Sequence, residues 1–201
     1  PINTLFQLKA ETEVNGDIFL FMPDLFAYCL CGAKTVEQTI ASTSQMLDLE
    51  NVKWQKDIFA LSEKDEKLLP EIVKSATVAG EYNGIKVIKV AGHDTQCAVC
   101  AMPSTNDKIS AFLSCGTWSL IGCENDKPIL TDKSMNDELS NELGANGKIN
   151  YLKNISGLWL IQEIRRNFKA EGKEYSYNDM EQLARKEKPF GFFIDPDDPN
   201  F

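Results

Sequence analysis

The stretch Val87–Pro103, VIKVAGHDTQCAVCAMP, decides how this chain reads. Its opening residues carry the β-branched side chains of a strand. Behind Ala91 and Gly92 stand the chain's one histidine, His93, and an acid, Asp94. The residues that follow suit a helix starting just after Asp94 and ended by Pro103. A carboxylate at such a junction can cap the helix by accepting backbone N–H bonds. It can also act as a general base, since a carboxylate is ionised at neutral pH and can take a proton from a hydroxyl. One role does not exclude the other.

His93 alone reads as a core or hydrogen-bonding side chain; beside Asp94 it also reads as a donor to a substrate hydroxyl. A metal centre is not expected. One histidine cannot build the usual clusters, and Cys97 and Cys100, three apart, would need a second pair that the chain lacks. A redox role for CAVC is weak too, because the helix reads as apolar and internal.

Working outward, EYNGIKVIKVAG predicts a turn at Asn83-Gly84 followed by a strand. Upstream, residues 1–50 read as helical: PINTLFQLKAET is amphipathic, with Ile2, Leu5, Phe6 and Leu8 on its apolar side. PDLFAYCLCG has apolar residues at helical spacing and a stop at Gly32, and TVEQTIASTSQMLDL continues the region. The small Ser/Thr side chains of that last segment would suit a cleft. Residues 54–74 predict a further helix, interrupted at Pro70.

Downstream, the polar STNDK at 104–108 is the expected domain boundary, with strands and helices mixed on both sides, as in α/β domains. ISAFLSCGTWSLIGCE predicts two strands joined at Gly116-Thr117. There Gly116 would let the backbone approach a ligand, and Thr117 would offer a hydroxyl and an amide to phosphate oxygens; an ordinary hairpin turn explains the same residues. Residues 125–148 read as loop-rich and INYLKN as a strand. ISGLWLIQEIRRNFKAEG is expected as an amphipathic helix with Leu158, Ile161, Ile164 and Phe168 inward. Asn154 is expected just before that helix, with Gly157 in its first turn. Gln162 lies on a face, where it could meet a ligand or simply solvent. A shorter helix spans about Asn178 to Lys188. No Walker loop or G-x-G-x-x-G occurs, so a P-loop or Rossmann nucleotide site is not supported.

With 201 residues, 43% hydrophobic and 25% charged, the composition is that of a soluble globular protein of one large domain or two small ones. No apolar run approaches the roughly 18 residues that span a bilayer. The net charge of -9 argues against a nucleic-acid backbone or an anionic membrane as main partner, though not against a small anion held by local amides. The six cysteines, Cys29, Cys31, Cys97, Cys100, Cys115 and Cys123, lie in apolar or strand-like contexts, which predicts reduced thiols in the cytoplasm. The start inside a helix at Pro1 and the stop in FIDPDDPNF lead us to expect a middle piece of a longer protein. Cut ends would leave apolar surface that favours association.

Taken in order, FMPDLFAYCLCG, EQTIASTSQMLDL, VAGHDTQCAV, FLSCGTWSLIG and LKNISGLWLIQEIRR resemble the FGGY carbohydrate kinases. The likeness covers nearly the whole chain and is weakest at 51–80 and 125–148. GHDT, GTWSL and KNISGLWL point within the family to members that phosphorylate L-rhamnulose at its 1-hydroxyl with Mg-ATP. Another FGGY kinase, such as one for fuculose or xylulose, and a non-catalytic sugar-binding relative are the alternatives. The resemblance implies an actin-like ATPase architecture of two ribonuclease-H-like α/β domains, both incomplete here: residues 1–104 as the rear of the N-terminal domain and 105–201 as the front of the C-terminal one. It implies Asp94 as proton acceptor and His93, Asp94, Thr95 and Asn154 as sugar contacts. Thr117, with Gly116, and Gln162 would be ATP contacts, and no residue is assigned to metal. Cys115 stands where the family commonly has serine, which a backbone-mediated role would survive. The family's N-terminal Asp-x-Gly hairpin and its glycine-rich adenosine segment are not among these residues, so little kinase activity is expected of this piece alone.

Overall fold

A computed structural model of the chain describes residues 3–12, 16–102 and 111–195. The chain opens with α1 (Asn3–Ala10), which buries Leu5, and α2 (Met22–Cys31), which has a proline in its first turn. Gly32 ends α2 in the left-handed conformation, φ 75°, and returns its N–H to Tyr28 O, as its sequence predicted. The next segment does not stay helical. It forms β1 (Thr35–Glu37), the short α3 (Gln38–Thr43) and β2 (Leu47–Asp48).

Residues 54–74 are likewise not one helix. They contribute to β3 (Lys53–Trp54), α4 (Lys56–Ala60), a 3-10 turn at Glu66–Leu68 and β4 (Glu71–Val73). Tertiary pairing overrides helical spacing here: β4 runs parallel to β1 with Ile72 beside Val36, and Trp54 Nε1 donates to Pro70 O at 2.7 Å. The hairpin of β5 (Val78–Tyr82) and β6 (Ile85–Ile88) turns at Asn83 and Gly84, both with positive φ, as an Asn-Gly pair favours. Then come α5 (Asp94–Cys100), β7 (Ala111–Cys115), β8 (Trp118–Asn125), α6 (Asp132–Asn136) and β9 (Ser140–Leu143). The last two lie in the stretch expected to be loop-rich. β10 (Ile149–Ser156), α7 (Trp159–Ala170) and α8 (Tyr177–Ala184) follow. The expected stop at Pro103, the linker 104–108, Ile2 and the end of the terminal loop lie outside the described residues.

The chain divides into two compact units, residues 1–112 with 122–152 and residues 113–121 with 153–201. In the first, Val36, Ala41, Leu47, Leu143 and Ile149 form one core, with Leu5, Met46 and Phe59 a second. β9 and β10 pair antiparallel with Leu143 opposite Ile149. Most Ser/Thr side chains in and just after α3 are engaged within the fold. Thr39, Ser42 and Ser44 are buried, Ser42 Oγ donates to Thr39 O, and it accepts the Leu143 N–H at 3.0 Å. The main buried charge pair is Lys89 Nζ on Asp24 Oδ1 at 2.6 Å, with Lys89 also donating to Thr35 O. Burial pushes the Asp24 carboxyl above its ordinary range; Lys89 opposes that only in part.

In the second unit, α7 carries the expected apolar stripe, but Leu158, Ile161 and Ile164 are exposed rather than inward, as is Trp159 beside them. Phe168 packs edge-on against Tyr175, and Arg165 lies 4.7 Å over the Tyr177 ring. The stripe is amphipathic without a covering layer among the described residues. α8 begins with a capping box between Ser176 and Asp179.

Candidate active site

Asp94 is the first residue of α5, and His93 is its N-cap without a side-chain capping bond. The Asp94 side chain is 99% exposed, and its Oδ1 accepts the N–H of Thr95 at 2.7 Å. It is therefore tied to the helix start at one oxygen while facing solvent. Thr95, next along, is buried.

Two residues from far upstream fix the backbone that carries Asp94. The N–H of Gly92 donates to Glu37 Oε2 at 2.8 Å, and that of His93 to Thr39 Oγ1 at 3.2 Å. Thr39 Oγ1 in turn donates to Glu37 Oε2, which also accepts Thr39 N at 2.9 Å and Ile40 N at 3.3 Å as the N-cap of α3. The other oxygen accepts the hydroxyl of Ser75. Gly92 is needed for this approach, because a Cβ there would stand 2.8 Å from Ile40 Cγ2.

His93 is mostly buried between two carboxylates. Its Nδ1 lies 3.1 Å from Glu142 Oε2, an ion-pair distance off the line of a hydrogen bond, and its Nε2 lies 3.9 Å from Asp94 Oδ1. Burial alone would disfavour the imidazolium. The Glu142 carboxylate, with Asp94 and Glu37 behind it, outweighs burial and raises the His93 pKa above its ordinary 6.5. Glu142 Oε2 also accepts Gln96 Nε2 at 3.1 Å, and Asn150 Nδ2 donates to Gln96 Oε1. Gln96 and Asn150 are fully buried, so α5, β9 and β10 are joined by a polar chain beneath the site.

Sequence reading reached His93, Asp94 and Thr95 but not Glu37, Thr39, Glu142, Gln96 or Asn150. A glutamate just before QTIAST is the one local hint, and glutamate is a less usual cap than Ser, Thr, Asp or Asn. CAVC is not internal: Cys97 and Cys100 are exposed, although Val99 is buried, and burial with the Glu124 charge pushes the Cys100 thiol up. All six cysteines are free thiols.

The remaining expected contacts belong to the second unit. Gly116 and Thr117 form the bend between β7 and β8. Their carbonyls accept N–H groups at the start of α7: Leu158 N to Gly116 O at 2.9 Å, Gly157 N and Trp159 N to Thr117 O at 3.2 Å. Gly157 is where this packing is tightest, since a Cβ there would meet Gly116 O and Ser119 Oγ at 2.6 Å. Thr117 itself is exposed. Asn154 is an exposed residue within β10, not a residue just ahead of a helix, and Gly157 precedes α7. Gln162 is exposed on α7 and lines a shallow cavity of about 680 Å³ with Arg165, Arg166, Lys169, Tyr175 and Tyr177.

The comparisons agree along the chain. The N-terminal domain of the FGGY family of carbohydrate kinases matches residues 7–113, and its C-terminal domain matches residues 111–201. Rhamnulokinase of Enterococcus faecalis is 35% identical over all of this chain and 42% of its own length. Those of Bacillus subtilis and Halalkalibacterium halodurans are 36% and 38% identical, matched over 43% and 44% of their lengths. The chain thus spans less than half of these relatives. Among solved structures, a xylulose kinase from Lactobacillus acidophilus superposes with a TM-score of 0.69 at 19% identity, over 94% of this chain and 40% of that one. A gluconate kinase from the same organism gives 0.69 at 18%, over the same shares. The mixed α/β fold is accordingly the incomplete actin-like ATPase architecture that the sequence led us to expect. The chain belongs to the FGGY family of carbohydrate kinases.

Proposed function

We propose that the protein carrying this chain transfers the γ-phosphoryl group of ATP to the 1-hydroxyl of L-rhamnulose. The observation that carries the reading is the identity of 35–38% to rhamnulokinases, which runs through the stretches holding His93-Asp94-Thr95, Gly116-Thr117, Asn154 and Gln162. Residues 1–104 are then the rear of the N-terminal domain and 105–201 the front of the C-terminal domain.

Phosphoryl transfer passes through a loose transition state, so alignment and charge stabilisation matter more than covalent chemistry. Asp94 has the exposure and the fixed backbone that a base needs. It orients the sugar hydroxyl and accepts its proton as the new bond to phosphorus forms. His93, Thr95 and Asn154 contact the sugar. The Gly116-Thr117 bend takes nucleotide phosphate oxygens through the Thr117 hydroxyl and amide, its carbonyls being already engaged by α7. Gln162 meets the nucleotide beside the cationic side chains of its cavity. Among the described residues no three His, Cys, Asp or Glu side chains converge as a metal cage, and Mg²⁺ is assigned to the nucleotide phosphates as part of the Mg-ATP substrate.

The test is a coupled ADP-release assay of the full-length protein on L-rhamnulose, L-fuculose, D-xylulose and glycerol. L-Rhamnulose should give the highest kcat/KM, and Asp94→Asn should lower kcat by at least ~10²–10⁴-fold with sugar affinity changed far less. Preference for another substrate overturns the substrate. Unchanged turnover in the variant overturns the base.

A further inference from the structure

Beneath the candidate base lies a buried acid that the proposed chemistry does not use. Glu142 sits on β9, 9% exposed, and its Oε2 faces both His93 Nδ1 and Gln96 Nε2. A buried carboxylate is costly unless charge and hydrogen bonds answer it. Gln96 supplies the hydrogen bond and His93 the charge. Gln96 is held in turn by Asn150, so the carboxylate is gripped by a chain reaching into β10 and has little room to turn.

We propose that Glu142 is a positioning residue: it seats the His93 ring with Nδ1 toward its own carboxylate, leaving Nε2 on the Asp94 side to donate a hydrogen bond to an oxygen of the bound sugar. The sugar in this statement rests on the function proposed above; the seating of the ring does not. When a carboxylate claims one ring nitrogen, the other becomes the one available to a ligand, and while the ring is cationic that nitrogen carries a proton. The charges facing His93 are Glu142 from β9, Asp94 from α5 and Glu37 at the start of α3, and all three favour the cation. Nε2 thus keeps its proton, as part of the cation, above the ordinary 6.5. Glu142 is largely buried and bonded to Gln96, while Asp94 faces solvent. Glu142 acts through the ring.

The chain has one histidine, so a ¹⁵N,¹³C-labelled sample without a tag gives one imidazole spin system to titrate. The wild-type midpoint is expected above 6.5. Above that midpoint the ¹⁵N shifts should show the neutral ring with its proton on Nδ1. Glu142→Gln keeps an oxygen for Gln96 and His93 but removes the charge, and it should lower the midpoint. Glu142→Asp should restore part of the difference. An unchanged midpoint in Glu142→Gln, with backbone amide shifts elsewhere matching wild type, overturns the proposal. So does a wild-type neutral ring carrying its proton on Nε2, a measurement that needs no variant. In the full-length kinase, Glu142→Gln should raise sugar KM about tenfold at pH values between the variant's midpoint and the higher wild-type one, with a smaller change in kcat, the deficit closing above both. A KM unmoved where the midpoint has fallen overturns the donor role. If the full-length protein turns over no L-rhamnulose, the substrate reading fails while the titration still decides the seating of the ring.

Discussion

Replacing Glu37 by alanine removes the one acceptor on which the approach to the site converges. Its Oε2 receives N–H groups from Thr39, Ile40 and Gly92 and the hydroxyl of Thr39, and Thr39 in turn holds the N–H of His93. Loss of a helix N-cap costs about 1 kcal/mol. Leaving the Gly92 N–H and the Thr39 hydroxyl without their acceptor adds about 1–3 kcal/mol. Together these give about 3 kcal/mol, a sizeable part of the roughly 5–15 kcal/mol that holds a typical domain folded. With a urea dependence near ~2 kcal/mol per M, the midpoint should fall by about 1.5 M.

Trp54 reports on the same unit, its indole bonded to Pro70 O. Its fluorescence can be isolated by replacing the exposed Trp118 and Trp159 with phenylalanine. Glu37→Gln is the control. It keeps an oxygen for the amides and presents its NH₂ to Ser75 Oγ, which can rotate to accept, so it should lose only about 1 kcal/mol of charge assistance. The Gly92 amide should exchange with solvent faster in the alanine variant than in the glutamine one. An alanine variant within about 0.5 kcal/mol of wild type, or one no worse than glutamine, would show that the convergence on Glu37 does not hold the loop.

Two further outcomes follow from the buried charges. His93 holds its proton more tightly folded than unfolded, so its contribution to stability is complete below its ordinary 6.5 and is lost as pH rises through its higher folded value. Urea midpoints should therefore decline on the alkaline side of 6.5, and His93→Gln should flatten that decline; an equal slope in both would refute the assignment. Lys89→Met leaves Asp24 buried without its cation and should cost about 3–5 kcal/mol. Because burial already raises the Asp24 pKa, the deficit should shrink on acidification and largely vanish in Asp24→Asn/Lys89→Met; a Lys89→Met chain as stable as wild type would refute it.

The parts of the fold legible in the sequence are those written by local chemistry. Gly32 stops α2, Asn83-Gly84 turns a hairpin, and the residues after His93 begin a helix, each because neighbouring atoms decide the outcome. The segments misread are those decided at a distance. TVEQTIAST and residues 54–74 carry helical spacing, yet the parallel pairing of β1 with β4 takes Thr35–Glu37 and Glu71–Val73 as strands. The apolar stripe of α7 was legible as a pattern, but a pattern states which face is apolar and not whether anything covers it.

The same division runs through the site, and it bears on how the chemistry is made specific. Asp94 could be singled out because its residue type and its place at a helix start are local. Exposed as it is, that carboxylate is tied at one oxygen to the Thr95 N–H and otherwise takes its place from the Gly92-His93 backbone. That backbone is held by Glu37 and Thr39, separated from it by 55 and 54 residues. The ring beside it faces Glu142, which is itself held by a glutamine 46 residues away. None of these partners carries a motif, since a glutamate before a short helix and another in an edge strand are ordinary surface residues until tertiary structure buries them. A motif thus marks where a proton would be taken, while residues without one set the direction from which it comes. Changing Glu37 or Glu142 should therefore disturb the site through angle and protonation, with Asp94 itself intact and still facing solvent.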